Sequence, residues 1–187
     1  MIRIVDNLKT TERKRLLQWR SSIPADLAME MDRRLNDRLI KLLDKQSIKS
    51  LAVYSPIRDE PNIRKYYPDY EEKYQLALPV CSQSGILKFF SWKTGEETVA
   101  GSYGILVPAT GLEVLPDAVL VPCVGFTRSG YRLGYGGGWF DKTLPQLPKT
   151  VLSIGVAYDG LELSGYEPEC FDVPLNYIVT ESAVHTA

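Results

Sequence analysis

The segment DAVLVPCVGFTRSGYRLGYGGGWFDKTL, residues 117–144, decides how this chain folds. Residues 118–124 form a continuous apolar run between Asp117 and Gly125, the pattern of a strand buried on both faces. Glycine then accumulates. Gly125, Gly130, Gly134, Gly136, Gly137 and Gly138 are six of the 14 glycines, within 14 residues. The tail of the segment, over 137–147, reads as a helix. A strand, a glycine-rich loop and a helix in that order let backbone N–H groups converge on phosphate oxygens. Glycine permits positive φ and close approach, and a helix N-terminus adds partial positive charge. Arg132 supplies a fixed cation for the same phosphates. Asp141, just inside the helix, supplies a carboxylate for a Mg²⁺ ion bridging them. The loop is not a Walker A motif, because no G-x-x-x-x-G-K-[ST] occurs. Nor is it the dinucleotide fingerprint G-x-G-x-x-G, because the final glycine position is Trp139. Three consecutive glycines alone would make only a tight turn; Arg132 and Asp141 beside them give the phosphate reading.

Outward from this segment the chain is built of short apolar runs. Residues 48–54, 74–79, 86–92, 151–157 and 177–180 read as strands, and 61–72 as helical. Residues 10–21 and 24–46 read as two N-terminal helices. In the second, Leu27, Met31, Leu35, Leu39 and Leu42 recur at spacings of three and four and form a core stripe. Ser21-Ser22-Ile23-Pro24 is its start signal, and Arg33, Arg34, Arg38 and Lys41 occupy solvated faces. Residues 93–117, rich in Gly, Thr, Glu and Pro, read as an irregular excursion. Strands alternating with helices imply an α/β fold. The expectation is one domain over 1–187, a three-layer α/β/α sandwich with a mostly parallel or mixed sheet. Residues 1–46 pack on it as helices.

Composition excludes several chemistries. The chain has 187 residues, one histidine and three cysteines. His185 lies near the C-terminal end of the sequence, so a Ser-His-Asp or Cys-His site inside the fold is not expected. Cys81, Cys123 and Cys170 are too far apart for a zinc site or a disulfide framework and point to a reducing compartment. Chemistry must rest on carboxylates, cations, tyrosines and backbone. No run of 18 apolar residues occurs, and MIRIVDNLKTTERKR lacks an apolar signal core. A cytoplasmic protein with no membrane partner is expected. Net charge is −1, but residues 1–50 carry 12 Lys/Arg against 7 Asp/Glu, and residues 51–187 carry 10 against 16. The basic first quarter could meet nucleic acid, meet a polyanionic small molecule, or simply be solvated helix faces. No nucleic-acid motif accompanies it, so no nucleic-acid partner is expected.

Two further carboxylates matter. Glu60, in YSPIRDEPN, follows a strand end, where α/β sheets place their ligands. Alone it would read as an exposed loop residue. Asp172, in ECFDVPLNYIVTE, precedes the last strand and alone would be an ordinary turn residue.

These residues carry a resemblance to the 5-formyltetrahydrofolate cyclo-ligase family. RLGYGGGWFDK, residues 132–142, resembles the family motif R-L-G-x-G-x-G-[YF]-[YF]-D-[RK]. YGILVP at 103–108 is similar to its Y/F-G-I-x-E-P element, with Val107 where glutamate is common. Glu60-Pro61-Asn62-Ile63, Phe171-Asp172-Val173-Pro174 and Ile178-Val179-Thr180-Glu181 fit further family elements in order. Phe171 stands where histidine is frequent, and Trp139-Phe140 where Tyr-Tyr is.

The resemblance implies a fold like that of the sugar-phosphate isomerase and CoA-transferase group. It also implies conversion of 5-formyltetrahydrofolate and ATP to 5,10-methenyltetrahydrofolate, ADP and phosphate, with Mg²⁺. Arg132, Tyr135 and Asp141 would act on the reacting groups. Lys9, Arg13, Arg132, Leu133, Gly134, Tyr135, Gly136, Gly137, Gly138, Trp139 and Phe140 would bind ATP. Ser55, Glu60, Tyr135, Gly136, Gly137, Gly138 and Trp139 would bind the folate, and Asp141 and Asp172 the metal. Lys9 and Arg13, four residues apart, would share one helix face; Lys14 and Arg15 are alternatives. The indole of Trp139 could stack on the pterin or pack over the nucleotide. A monomer is expected. The alternative to an enzyme is a module of the same fold that holds folate or nucleotide without turnover.

Overall fold

The computed structural model describes the backbone of residues 2–187 and the side chains of residues 8–187. In chain order the elements are α1 (Ile2–Ser21), α2 (Ala25–Leu43), β1 (Ser50–Ala52), α3 (Tyr67–Glu71), β2 (Gln75–Cys81), β3 (Leu87–Ser91), β4 (Thr98–Ala100), β5 (Leu106–Pro108), β6 (Glu113–Val114), β7 (Ala118–Pro122), β8 (Gly125–Phe126), β9 (Arg132–Leu133), α4 (Trp139–Thr143), β10 (Leu152–Val156), β11 (Tyr177–Val179) and β12 (Val184–Thr186). Eight strands form one sheet in the order β12-β11-β10-β7-β1-β2-β3-β6. The inner five, β11 to β2, are mutually parallel; β3, β6 and β12 run antiparallel to their neighbours.

Strand periodicity sorts the core into two layers, because successive side chains point to opposite faces. Ala52, Ala77, Val119 and Val121 face one way, onto Leu16 of α1, Phe126 and Leu133 of the β8–β9 ribbon, and Trp139 and Phe140 of α4. Leu51, Val53, Leu76, Leu78, Ala118, Leu120, Ile154 and Val156 face the other way, onto α2 and α3. The result is the expected three-layer α/β/α arrangement. Leu35, Leu39 and Leu43 of α2 are wholly excluded from solvent. Burial of each such side chain contributes about 1.5–3 kcal/mol.

Several local expectations change. The first helix begins at Ile2, not residue 10. Leu27, in the first turn of α2, drops out of the stripe, being 50% exposed; the buried stripe starts at Met31. Ser22 closes α1 rather than opening α2, since its hydroxyl donates back to the Trp19 carbonyl. Residues 93–117 are not irregular throughout; they contain the β4–β5 hairpin and edge strand β6. The helix expected over 137–147 is only α4, continued by a 3-10 turn at Leu144–Gln146. That over 61–72 is likewise a 3-10 turn, Arg64–Tyr66, leading into α3.

Sheet order places the ligand crevice. The chain leaves β1 toward β2 on one side and later fills β7 on the other, so the strand order reverses between β1 and β7. In open α/β sheets the carboxyl ends of strands at such a reversal frame the binding site.

Candidate active site

A cavity opens at that point. Its floor comes from the ends of three parallel strands: Tyr54 and Ser55 after β1, Cys81 of β2 and Pro122 of β7. Its walls are Ile57 and Glu60, the β4–β5 hairpin through Tyr103, Ile105 and Val107, and the glycine segment from Arg132 to Asp141.

Glu60 is held by a tight turn. Its N–H donates to the Ile57 carbonyl at 3.0 Å, and its Oε2 accepts from the Ile57 N–H at 2.9 Å. The two residues between, Arg58 and Asp59, adopt φ of 47° and 60°, left-handed conformations found together in type I′ turns. Around the turn, the Tyr54 hydroxyl donates to the Pro61 carbonyl and the Tyr67 hydroxyl to the Tyr54 carbonyl. The sequence suggested an exposed carboxylate as the ordinary alternative; the structure buries Glu60 to 4% exposure. Its Oε1 is buried without a hydrogen-bond partner. Burial pushes this carboxyl above its ordinary range, against the Ile57 N–H, the charge of Arg20, the nearby Tyr135 hydroxyl and the charge of Arg58. An acceptor that forms no hydrogen bond, beside the Tyr135 hydroxyl in a ligand cavity, is a position for donors of a bound molecule.

The glycine segment forms the opposite wall. After β9 the chain passes through Gly136 and Gly138 at φ of 97° and 65°, which glycine adopts without a Cβ penalty. Gly138 caps α4 in that left-handed conformation. Asp141, in the first turn of α4, accepts from Arg132 Nη2 at 2.6 Å, and Arg132 Nη1 donates to the Val173 carbonyl at 2.9 Å. Arg132 thereby ties Asp141 to the segment beside Asp172. Trp139 donates from Nε1 to the Tyr103 hydroxyl at 3.4 Å, linking the loop to the hairpin. Ser55 donates to the Leu106 carbonyl at 2.9 Å. Leu133 turns its side chain into the core, leaving only its backbone to the loop.

The other side of the loop meets α1. Lys9 and Arg13 do share a helix face, and both reach this region. Arg13 Nε donates to the Gly134 carbonyl at 2.7 Å. Lys9 Nζ bridges Glu169 at 2.5 Å and Asp172 at 3.1 Å. Burial works against the Lys9 charge, but its bonds to Glu169 and Asp172 outweigh that and hold its pKa high. Burial likewise opposes the Asp172 charge, while the Glu169 N–H, Lys9 and the Tyr166 hydroxyl stabilise it and depress its pKa. Arg15 instead pairs with Glu12 on the exposed face. Asp172, unlike Asp141, is not in the cavity wall. Among the described residues no cluster of three His, Cys, Asp or Glu side chains forms a ready-made metal cage.

The structure adds Arg20, to which the sequence assigns no role. It is 1% exposed. Its guanidinium donates from Nε and Nη2 to the Arg58 carbonyl at 3.0 and 2.7 Å, from Nη1 to the Cys123 carbonyl at 3.4 Å, and from Nη2 to the Tyr135 hydroxyl at 2.5 Å. One side chain therefore joins the Glu60 turn, the end of β7 and the glycine loop. Its spacing of four from buried Leu16 was the available signal. Burial, and then the Glu60 carboxylate, raise the pKa of Tyr135, so its hydroxyl stays protonated.

The sequence profile of the 5-formyltetrahydrofolate cyclo-ligase family matches residues 5–181. A 5-formyltetrahydrofolate cyclo-ligase of Mycoplasma pneumoniae is 28% identical over 177 residues, 92% of this chain and 98% of that one. One from Mycolicibacterium smegmatis is 30% identical over 185 residues, 92% and 93% of the two chains. The NMR structure of Aquifex aeolicus 5,10-methenyltetrahydrofolate synthetase superposes with a TM-score of 0.85 at 27% identity, covering 96% of this chain and 92% of that one. No helix among the described residues is long and apolar enough to cross a membrane.

Proposed function

The chain belongs to the 5-formyltetrahydrofolate cyclo-ligase family, and from that premise we propose how its site closes the folate ring. The reaction converts 5-formyltetrahydrofolate to 5,10-methenyltetrahydrofolate at the expense of ATP. The observation that carries the assignment of roles is the glycine loop with a different chemistry on each side. On one side is the cavity, lined by Glu60 and by Arg132 and Asp141; on the other are Lys9 and Arg13 of α1.

Glu60 takes the pterin, whose ring N–H and amino group match a carboxylate. Ser55, Tyr135 and Trp139 line the space around it. ATP lies along 132–140 with its phosphates toward Lys9, Arg13 and Arg132, and the loop N–H groups face the group in transit. Lys9 reaches the nucleotide by exchanging Glu169 and Asp172 for phosphate oxygens. Asp141 suits Mg²⁺, a hard cation that binds through one or two carboxylates plus substrate phosphates. Asp172 suits it once Lys9 has moved. Held by these carboxylates, Mg²⁺ would supply charge neutralisation for the phosphates.

In the chemical step a lone pair of the formyl oxygen attacks the γ-phosphorus, and the bond to the β–γ bridging oxygen breaks, releasing ADP. N10 then attacks the formyl carbon and loses its proton. The carbon–oxygen bond breaks, and phosphate leaves with that electron pair as the amidinium of the methenyl product forms. No histidine base is required. Positioning and electrostatic stabilisation of the transferred phosphoryl group are the main demands. Three unpaired cysteines, one of them exposed, suit a reducing cytoplasm. In this reading the protein acts as a monomer. Mixing protein, 5-formyltetrahydrofolate, ATP and Mg²⁺ should raise the absorbance of methenyltetrahydrofolate. Product without ATP, or none with it, contradicts the reading.

A further inference from the structure

Arg58 has no part in the roles assigned above, yet its setting is unusual. It occupies a left-handed conformation, and so does its neighbour Asp59. Non-glycine residues in that region store strain and concentrate at functional sites. The Arg58 carbonyl is clamped by two nitrogens of buried Arg20, so the strained turn is fixed. The side chain itself is exposed. Its guanidinium lies over the Tyr135 ring, 5.4 Å from the centroid, and donates no hydrogen bond to any described residue. Several other exposed arginines are satisfied, Arg15 by Glu12, Arg33 by Glu30 and Asp37, and Arg128 by Glu162. Arg34 and Arg64 form no such pair among the described residues, but Arg64 lies over Trp92, outside the cavity wall, whereas Arg58 lies over Tyr135, which lines it. Arg58 keeps its planar fork of donors free beside the glycine loop.

The three cations assigned to the phosphates make other bonds in the free protein. Arg132 holds Asp141, Arg13 holds the Gly134 carbonyl, and Lys9 holds two carboxylates. The loop side chains from Gly134 to Phe140 carry no charge. Phosphoryl transfer places growing charge on equatorial and leaving oxygens, and a mobile arginine is one means of meeting it. Arg58 is two residues from Glu60, whose carboxylate feels its charge. Lying over the ring of Tyr135, which lines the cavity, it stands beside the end where the reading above seats the pterin and its N5-formyl group.

We propose that Arg58 is a further catalytic residue, whose guanidinium swings from the Tyr135 ring onto the phosphoryl group passing from ATP to the formyl oxygen. This rests on the role assignment above. The covalent changes are those already written; Arg58 forms hydrogen bonds to non-bridging oxygens and exchanges no proton.

The decisive variant is Arg58→Gly. Glycine adopts positive φ freely, so this variant keeps the turn and folds at least as stably as wild type. At saturating ATP and Mg²⁺ its kcat should fall about a hundredfold, with KM for 5-formyltetrahydrofolate within about threefold. Millimolar guanidinium should restore part of the turnover, sodium chloride of equal ionic strength should not, and Arg58→Lys should lie between. A second readout avoids turnover. Trp139 lies in the cavity wall, and tryptophan fluorescence should show ADP with aluminium fluoride, in the presence of the folate, binding wild type at least about tenfold tighter than Arg58→Gly. ADP alone should bind both equally. A kcat within threefold of wild type overturns the proposal, and so does a loss confined to KM for the folate. Equal affinity of both proteins for the fluoride complex overturns it as well. An inactive wild type overturns the role assignment and this proposal with it, whereas an active wild type matched by Arg58→Gly overturns this proposal alone.

Discussion

Replacing Glu60 by glutamine separates what the buried carboxylate does for the substrate from what it does to the fold. In the free protein Oε2 accepts from the Ile57 N–H, and Oε1 forms no hydrogen bond, with the Tyr135 hydroxyl nearby. A pterin offering two donors would satisfy Oε1 and the remaining lone pair of Oε2. A hydrogen bond to a charged group contributes about 1.5–3 kcal/mol. Glutamine keeps one acceptor but presents an N–H to a substrate N–H. The loss should be about 3 kcal/mol, which is about a hundredfold in KM or Kd for the folate. Stability should respond in the opposite sense. Because burial raises the Glu60 pKa, the folded state binds more protons than the unfolded one in the window between about 4.3 and the raised folded value. Wild type therefore loses stability as pH rises through that window, and Glu60→Gln does not. Urea denaturation at pH 5 and pH 8 should show the variant gaining on wild type at the higher pH. Steady-state kinetics on the methenyl absorbance supply KM. A KM within threefold of wild type, or a stability difference that is constant with pH, would refute the reasoning.

Arg132→Ala should lower turnover at least about a hundredfold, because a charged phosphate contact contributes about 3 kcal/mol to the transition state; near-normal kcat removes Arg132 from the mechanism. Arg132→Lys should recover little of it, since lysine cannot span the Val173 carbonyl and Asp141 together. Leu39→Ala, at a site wholly inside the α2 layer, should cost about 2–5 kcal/mol in urea denaturation while leaving kcat per folded molecule unchanged.

The parts of this fold readable in advance were those governed by local pattern. The run at 118–124 contains β7, Ala118–Pro122, with its two-sided burial, and the Leu/Met stripe places α2 on the sheet except at exposed Leu27. Arg132 and Asp141 were expected near one another because only a loop and one helical turn separate them. What stayed hidden depends on contacts distant in sequence. Arg20 finds its acceptors 38 and 103 residues away, so nothing local distinguishes it from a solvated arginine ending a helix. The burial of Glu60 follows from a turn braced by Tyr54 and Tyr67, not from its own neighbours. Lys9 and Asp172 were assigned separately to nucleotide and metal, and the structure pairs them across 163 residues. The β8–β9 ribbon was obscured by the glycines that make its turn.

Oxygen tracing tests the chemistry most directly. Substrate labelled with ¹⁸O in the N5-formyl group would be converted in unlabelled water, and the released phosphate analysed by mass. Attack of the formyl oxygen on the γ-phosphorus requires one ¹⁸O in each phosphate formed with methenyltetrahydrofolate. Unlabelled phosphate, with the ¹⁸O released to water, would contradict direct phosphoryl transfer to the formyl group.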